Sequence, residues 1–175
     1  MKNIFTKSIP QKWETKRLLL LKAEITEAKE LQTVYEDGFK NEWTYKEKTP
    51  IKNYMHKRVV EPTIPPEGSA DLYNFLSIKL KETSEIIGYF SVYFGHPNNN
   101  TLFINELFII SKEQKKGLGR EIIDEIKKSI KEGQQFTHIR CKARLQNLPA
   151  IKFWKNNDFL EVMTNDEEVV LEMKI

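Results

Sequence analysis

The sequence is poor in cysteine, glycine and proline, and it has no long apolar run. Its 175 residues include one cysteine, seven glycines and seven prolines. A single cysteine excludes an intrachain disulfide framework and a cysteine-rich metal site, and the three histidines are scattered, so we predict no metal. No stretch approaches the ~18 apolar residues of a membrane span, and the apolar run near the start is too short for a signal peptide. We therefore expect a reducing, cytoplasmic setting.

The charge of the whole chain is nearly balanced. Lys and Arg number 28 and Asp and Glu number 25, which gives a net charge of +3, and 39% of the residues are hydrophobic. So small a positive excess predicts neither a nucleic acid nor a membrane as partner, and the apolar fraction is large enough to form a core. We therefore predict one domain over residues 1–175, with residues 1–15 as an N-terminal extension.

The hydrophobic periodicity predicts an α/β (or α+β) fold with a mixed sheet. Residues 102–110 are apolar on both faces, which is typical of a central strand covered on both sides. Thr26 is a candidate helix N-cap, Gly133 is a candidate C-cap, and the proline-rich segment 61–70 is a predicted loop. The predicted strands are 17–23, 72–80, 86–94, 102–110, 136–143 and 169–175, and the predicted helices are 26–39, one from about residue 50, 118–131 and 147–156.

The turn between the central strand and the helix from Leu118 is suited to an anion. A helix N-terminus exposes unpaired N–H groups and the positive end of a dipole. Gly117 and Gly119 would let the backbone approach the anion closely. Four positive charges surround the turn, on Lys112, Lys115, Lys116 and Arg120. The alternative is an ordinary strand–helix turn with a solvated basic surface.

Two common phosphate-binding motifs do not fit this turn. The Walker A pattern G-x-x-x-x-G-K-[ST] is absent. A dinucleotide fingerprint would need a third glycine where this chain has Ile122, and an acid near residues 140–142, which read Arg-Cys-Lys. Both classes of site are therefore excluded.

The run ELFIISKEQKKGLGREII resembles the acetyl-CoA motif of the GCN5-related N-acetyltransferase (GNAT) superfamily, whose pyrophosphate loop reads [Q/R]-x-x-G-x-[G/A]. Here that loop matches Gln114, Gly117 and Gly119. The second signature of the family, roughly N-x-x-A-x-x-F-Y-x-x-x-G-F, resembles the segment from Asn147 to Phe159. The order of the predicted elements also agrees over about residues 16–175.

This resemblance implies a mostly antiparallel central sheet flanked by helices, in which two central strands, 102–110 and 136–143, splay apart. Acetyl-CoA is the implied co-substrate, with its pantetheine arm in the V between these strands. The backbone of the first strand and the pyrophosphate turn would hold it. The implied cofactor-binding residues are Leu107, Phe108, Ile109, Gln114, Lys115, Lys116, Gly117, Leu118, Gly119, Arg120, Asn147 and Trp154.

The implied reaction is attack of a neutral amine on the thioester, for which something must accept the proton of the ammonium. Glu106 is the candidate general base, because it lies inside an apolar strand and matches an acidic position of the family motif. The alternative is a glutamate paired with a basic neighbour for structural reasons. Asn105 occupies a neighbouring position that is acidic in some relatives.

Two positions depart from the family pattern. Trp154 replaces a tyrosine that often protonates the departing thiolate, and an indole N–H is not a practical acid. Either the thiolate leaves unassisted, since thiols have a pKa of only ~8–9, or another group serves. Asp158 replaces a glycine and is tolerable there because aspartate can adopt a left-handed conformation.

The acceptor is predicted to be an amine on a small molecule or a peptide, and the resemblance allows a homodimer. Trp43, Tyr45 and Tyr54 lie where this superfamily usually lines its acceptor pocket, although core packing is an equal alternative for them. His96 is a candidate second base. Two other functions stay open: a degenerate member that binds acetyl-CoA as a sensor or structural protein, and a nucleic-acid-binding module that uses the basic patch 112–120.

Overall fold

The computed structural model describes residues 10–40 and 49–175. The strands are β1 (Lys12–Glu14), β2 (Leu18–Lys22), β3 (Tyr73–Leu80), β4 (Ile86–Phe94), β5 (Thr101–Ile109), β6 (His138–Arg144), β7 (Leu160–Thr164) and β8 (Glu168–Lys174). They form one sheet in the order β1-β2-β3-β4-β5-β6-β8-β7. Only the β5–β6 pair is parallel among these neighbours, so the sheet is mixed and mostly antiparallel, as predicted.

Within the described residues four α-helices flank the sheet: α1 (Ala28–Gly38), α2 (Tyr54–Val60), α3 (Leu118–Gly133) and α4 (Leu148–Lys155). α2 lies over one face, where the Arg58 guanidinium stands 5.4 Å from the ring centroid of Phe75. α3 lies on the opposite face, where Ile130 and Phe94 border a small cavity. The apolar stripe predicted for α3 is buried there, and its members are Leu118, Ile122, Ile123, Ile126 and Ile130.

The predicted elements agree with the structure to within a few residues, but the caps differ. α1 begins after a single 3₁₀ turn at Ile25–Glu27, so Thr26 is not its N-cap. α3 continues through Gly133, and Gln134 takes the left-handed conformation at its end, with φ of 54°. α2 begins at Tyr54 rather than near residue 50. Asn147 does cap α4, since its Oδ1 accepts a hydrogen bond from the N–H of Ala150 at 3.1 Å.

Two strands of the structure, β1 and β7, were not predicted from the sequence. β1 has three residues and lies within the predicted N-terminal extension, where it pairs with β2. β7 is exposed at all five positions, so it carries no alternation between buried and exposed residues. Both strands are at the ends of the sheet, and their absence from the prediction does not alter the centre.

Candidate active site

The two central strands separate halfway along their length. β5 and β6 pair from Thr101↔His138 to Ile104↔Cys141, and no pair follows. On its other side β5 stays paired with β4 up to Ile109. The splay expected between these strands is therefore present, and no other described strand pairs with the β6-facing edge of β5 beyond Ile104.

A cavity of about 1340 Å³ extends from this opening to the N-terminus of α3. Glu106 lines it, as do most of the residues expected to bind the cofactor. These are Leu107, Phe108, Ile109, Gln114, Lys115, Gly117, Leu118, Gly119, Arg120, Asn147 and Trp154. Lys116 is not part of this lining among the described residues.

The turn before α3 adopts the left-handed conformation twice. Gly117 has φ of 80° and is the N-cap of α3, and Lys115 has φ of 61°. The side chain of Arg17 holds this turn, because its Nη1 donates to the carbonyl oxygen of Lys116 at 3.1 Å. The Nε of Arg17 in turn donates to the carboxylate of Glu121 at 2.7 Å. The left-handed conformation at position 117 favours glycine, because a side chain there would be strained.

Gly119 serves a different purpose. A Cβ at this position would lie 3.0 Å from Cε2 of Phe153, which is closer than ordinary van der Waals contact. The glycine therefore lets the first turn of α3 pack directly against α4. The sequence predicts close approach of an anion at both glycines, and the structure adds this packing requirement at Gly119.

The four cations predicted around the turn are engaged unequally. Lys112 forms an ion pair with Glu85 at 2.6 Å, Lys116 with Glu113 at 2.9 Å, and Arg120 has Asp124 at 3.7 Å. Lys115 forms no ion pair with any of the described residues. It lines the cavity, which makes it the cation of this turn most available to an anionic ligand.

Gln114, Trp154 and Asp158 also have structural roles in the protein. Gln114 lines the cavity, but its Nε2 donates to the carbonyl oxygen of Ile109 at 2.7 Å and so fixes the end of β5. Trp154 is only 6% exposed, and its ring packs edge-on against Phe153 and Phe159. Asp158 has φ of 70°, the left-handed conformation expected where the family has glycine.

Glu106 is paired with a basic residue, Arg58, and is not isolated in apolar surroundings. This pairing is the alternative that the sequence left open for Glu106. Its Oε2 accepts a hydrogen bond from Nη2 of Arg58 and another from Oγ of Ser91, the latter at 3.0 Å. Arg58 is 8% exposed, and its Nη1 donates to Thr63. No feature of the sequence singled out Arg58, because it lies on α2 and is 48 residues from Glu106 along the chain.

Buried polar atoms surround this ion pair. Nε of Arg58 and the hydroxyl of Tyr73 are buried and make no hydrogen bond of normal geometry with the described residues. Burial raises the pKa of Tyr73, against the opposing effect of the nearby Arg58. Asn105 stands at the register shift between β4 and β5, and its buried Nδ2 likewise has no partner among the residues described.

His96 lines the cavity beside Phe103, with 5.4 Å between the ring centroids. Burial lowers the pKa of this imidazole, and the positive charges of Lys142 and Arg140 lower it further. Tyr54 stacks on Tyr35 and is not part of the cavity lining, so it packs against α1. Trp43 and Tyr45 lie outside the described residues.

No three His, Cys, Asp or Glu side chains in residues 10–40 and 49–175 are grouped so that they could hold a metal ion. Within the same residues, every helix is too short or too polar to cross a membrane.

The model of the acetyltransferase (GNAT) family matches residues 28–159. The chain belongs to this family. It is therefore an N-acetyltransferase, and the GNAT activity implies acetyl transfer from acetyl-CoA. No curated protein of known function matches the sequence.

Solved structures of acetyltransferases share the fold at low identity. An acetyltransferase from Thermus thermophilus is 15% identical, with 92% of this chain and 99% of that chain covered and a TM-score of 0.75. The microcin C7 self-immunity acetyltransferase MccE, solved with acetyl-CoA and AMP, is 15% identical over 91% of this chain and 93% of that chain, with a TM-score of 0.71. The PaiA N-acetyltransferase from Thermoplasma acidophilum, solved with coenzyme A, is 16% identical over 90% and 99% of the two chains, with a TM-score of 0.65.

Proposed function

We propose that this protein transfers the acetyl group of acetyl-CoA to a primary amine of a small molecule or a protein, by direct attack of the amine within a ternary complex. The observation that carries the proposal is the single cavity that joins the open edge of β5 to the N-terminus of α3. In such a cavity an extended pantetheine arm can pair with the edge of a strand. The pyrophosphate can accept hydrogen bonds from the amide groups at the helix N-terminus.

The residues of the cavity fit acetyl-CoA along its length. The backbone of Leu107, Phe108 and Ile109 is paired with β4 but has no β6 partner, so its groups that face the opening would pair with the pantetheine amides. The carbonyl oxygen of Ile109 is not among them, because it accepts from Gln114. The amides between Lys115 and Arg120 would bind the pyrophosphate, with the charge of Lys115 beside them. Asn147 lines the same cavity from the start of α4 and would contact the arm of the cofactor.

The chemistry needs a proton acceptor near the thioester. The bond from the amine nitrogen to the acetyl carbon forms, the bond from that carbon to sulfur breaks, and the proton of the ammonium passes to Glu106, directly or through a water. Oε1 of Glu106 is the oxygen for this role, because the hydrogen bonds to the described residues are made by Oε2. Trp154 cannot supply an acid, so the thiolate either leaves unassisted or is protonated by another group.

The second candidate is a protein that binds acetyl-CoA without turnover. Two observations favour it: Arg58 occupies one oxygen of Glu106, and Trp154 stands at the position of the usual tyrosine acid. A third candidate, binding of nucleic acid by the patch 112–120, is weakened because Lys112, Lys116 and Arg120 have acidic partners.

Two measurements separate these functions. Titration calorimetry with acetyl-CoA detects binding in the first two cases and none in the third, which instead predicts a steeply salt-dependent affinity for DNA or RNA. Release of the coenzyme thiol in the presence of a panel of amines then occurs only for the transferase. If acetyl-CoA binds but no amine in the panel causes thiol release, the degenerate acetyl-CoA-binding protein is favoured. If acetyl-CoA does not bind, the cofactor assignment is overturned.

A further inference from the structure

The strand that forms the far side of the opening carries basic side chains on one face. Along β6, Ile139, Cys141 and Ala143 are buried. Ile139 is paired with Leu102, and Leu102 with Phe94, which faces α3, so this set of side chains lies on the α3 side of the sheet. The alternate residues Arg140, Lys142 and Arg144 must lie on the opposite face, because successive side chains of a strand point to opposite faces. All three are partly or fully exposed.

Two of these cations are neutralised by the neighbouring strand and one is not. Nε of Arg140 donates to the carboxylate of Glu172 at 2.7 Å, and Lys142 lies 3.3 Å from that of Glu168. Arg144 is opposite Glu168 in the pairing of β6 with β8 but forms no ion pair with a described residue. Its Nη1 is buried and has no hydrogen-bond partner among those residues. A buried donor without a partner is costly, so this arrangement favours a ligand that accepts its hydrogen bond.

Arg144 and Lys142 border the reaction site rather than a separate surface. Both line the same cavity as Glu106 and His96, and both follow Cys141, the last β6 residue that pairs with β5. They therefore stand across the opening from Glu106, on the face of the sheet where α2 and Arg58 lie. The charges of Lys142 and Arg140 also reach His96, where they lower the pKa of the ring.

We propose that the amine accepted by this enzyme carries an anionic group, a carboxylate or a phosphate, which Arg144 binds while the amine lies beside Glu106. This proposal rests on the proposed function and names the class of its acceptor. A guanidinium presents a planar pair of donors that matches carboxylate or phosphate oxygens. Lys142 already has the carboxylate of Glu168 as its partner, so Arg144 is the residue that the anion would pair with. The negative charge of Glu106 would attract the ammonium form of the acceptor and so orient its nitrogen toward the thioester.

The test compares amines that differ only in the anion. Tyrosine against tyramine probes a carboxylate, and phosphoethanolamine against ethanolamine probes a phosphate. We expect kcat/KM for the anionic member of at least one pair to exceed that of its neutral partner, and the pair that responds identifies the anion. Equal values within both pairs, or a preference for the neutral members, would overturn the proposal.

Variants on one strand assign the effect to Arg144. Arg144→Gln should lower kcat/KM for the preferred anionic amine by about 10- to 100-fold and change that of its neutral partner by less than about two-fold. Arg144→Lys should lower kcat/KM by a smaller factor, because lysine keeps the positive charge but lacks the planar pair of donors. The matched control is Arg140→Gln, on the same face but outside the cavity lining, which should leave the preference unchanged. Equal effects of the two glutamine variants, or a loss of acetyl-CoA affinity in Arg144→Gln, would contradict the assignment.

A binding arm keeps this test separate from that of the proposed function. Calorimetry on the protein saturated with coenzyme A measures affinity for the same four amines without requiring turnover. Selective binding of an anionic member that Arg144→Gln abolishes supports the anion site even if no acetyl transfer occurs. Indiscriminate or absent binding overturns it, even if other amines are acetylated.

Discussion

Arg58 on α2 donates a hydrogen bond to Glu106 on β5 and so joins segments 48 residues apart in the chain. The contact connects α2, which lies over one face of the sheet, with the strand expected to hold acetyl-CoA. The two carboxylate oxygens of Glu106 differ in their contacts, because Arg58 and Ser91 both donate hydrogen bonds to Oε2. Arg58 thereby orients Glu106, and the loop 61–66 is tied to the same guanidinium through Thr63.

Replacement of Glu106 tests its role as the base. Glu106→Gln keeps the size of the side chain and an oxygen that can accept from Arg58, but it removes the basic carboxylate. We expect kcat to fall by ~10²–10⁴ while the dissociation constant of acetyl-CoA stays the same. Steady-state kinetics and calorimetry measure the two quantities, and an unchanged kcat would remove Glu106 from the mechanism.

Loss of the Arg58 guanidinium should destabilise the fold. Arg58→Met leaves the partly buried carboxylate of Glu106 without its cation, and we expect the free energy of unfolding to fall by about 1–3 kcal/mol. The double variant Arg58→Met/Glu106→Gln should lose less than the sum of the single variants, because no charge is then stranded. Urea denaturation measures the three values, and strict additivity would show that the two side chains do not interact.

The first turn of α3 allows steric and charge effects to be separated at one position. Gly119→Ala places a Cβ against Phe153, whereas Gly119→Glu adds a carboxylate where the pyrophosphate is expected. We expect the glutamate variant to bind acetyl-CoA weaker than the alanine variant by roughly ten-fold or more, because like charges meet.

The matched control for the added charge is Gly133→Glu, at the other end of the same helix, where a Cβ meets nothing within 4 Å. Gly133 borders the smaller cavity and not the proposed cofactor site, so acetyl-CoA affinity should be retained. The cofactor assignment would be wrong if Gly119→Glu bound acetyl-CoA as tightly as Gly119→Ala.

The pH response of His96 follows from its surroundings. Burial and the charges of Lys142 and Arg140 lower the pKa of His96 in the folded chain, so the unfolded chain binds this proton more tightly. The contribution of His96 therefore makes the fold less stable as the pH falls through ~6.5, the ordinary histidine value. An NMR titration should give a midpoint below that value for the His96 ring, and Lys142→Gln should move it upward. A midpoint at or above ~6.5 would contradict this description.

The centre of the fold could be predicted from the sequence because its signals are local. β4 was predicted at its observed bounds, and Asn147 carries its capping signal within three residues of its partner. Asp158 could be assigned a left-handed conformation because aspartate is one of the few residue types that tolerate it. These features depend on residue type and spacing, which the sequence displays directly.

The partners within the site could not be predicted, because they depend on contacts between distant segments. No spacing connects Arg58 with Glu106 or shows that Gly119 packs against Phe153. The alternation of β6, in which Arg140, Lys142 and Arg144 follow one another at every second position, was visible in the sequence. A role for these basic residues could be inferred only once it was known which face of β6 borders the cavity. That knowledge depends on the order and register of the whole sheet.

The most direct test of the central claim is amine-dependent release of the coenzyme thiol from acetyl-CoA. The lone Cys141 will not obscure the signal, because it is 1% exposed and burial raises the pKa of its thiol. We predict thiol release only when an accepted amine is present, with one acetylated amine formed for each thiol. Tight binding of acetyl-CoA with no release above the enzyme-free rate, for any amine in the panel, would contradict the assignment of this protein as an active acetyltransferase.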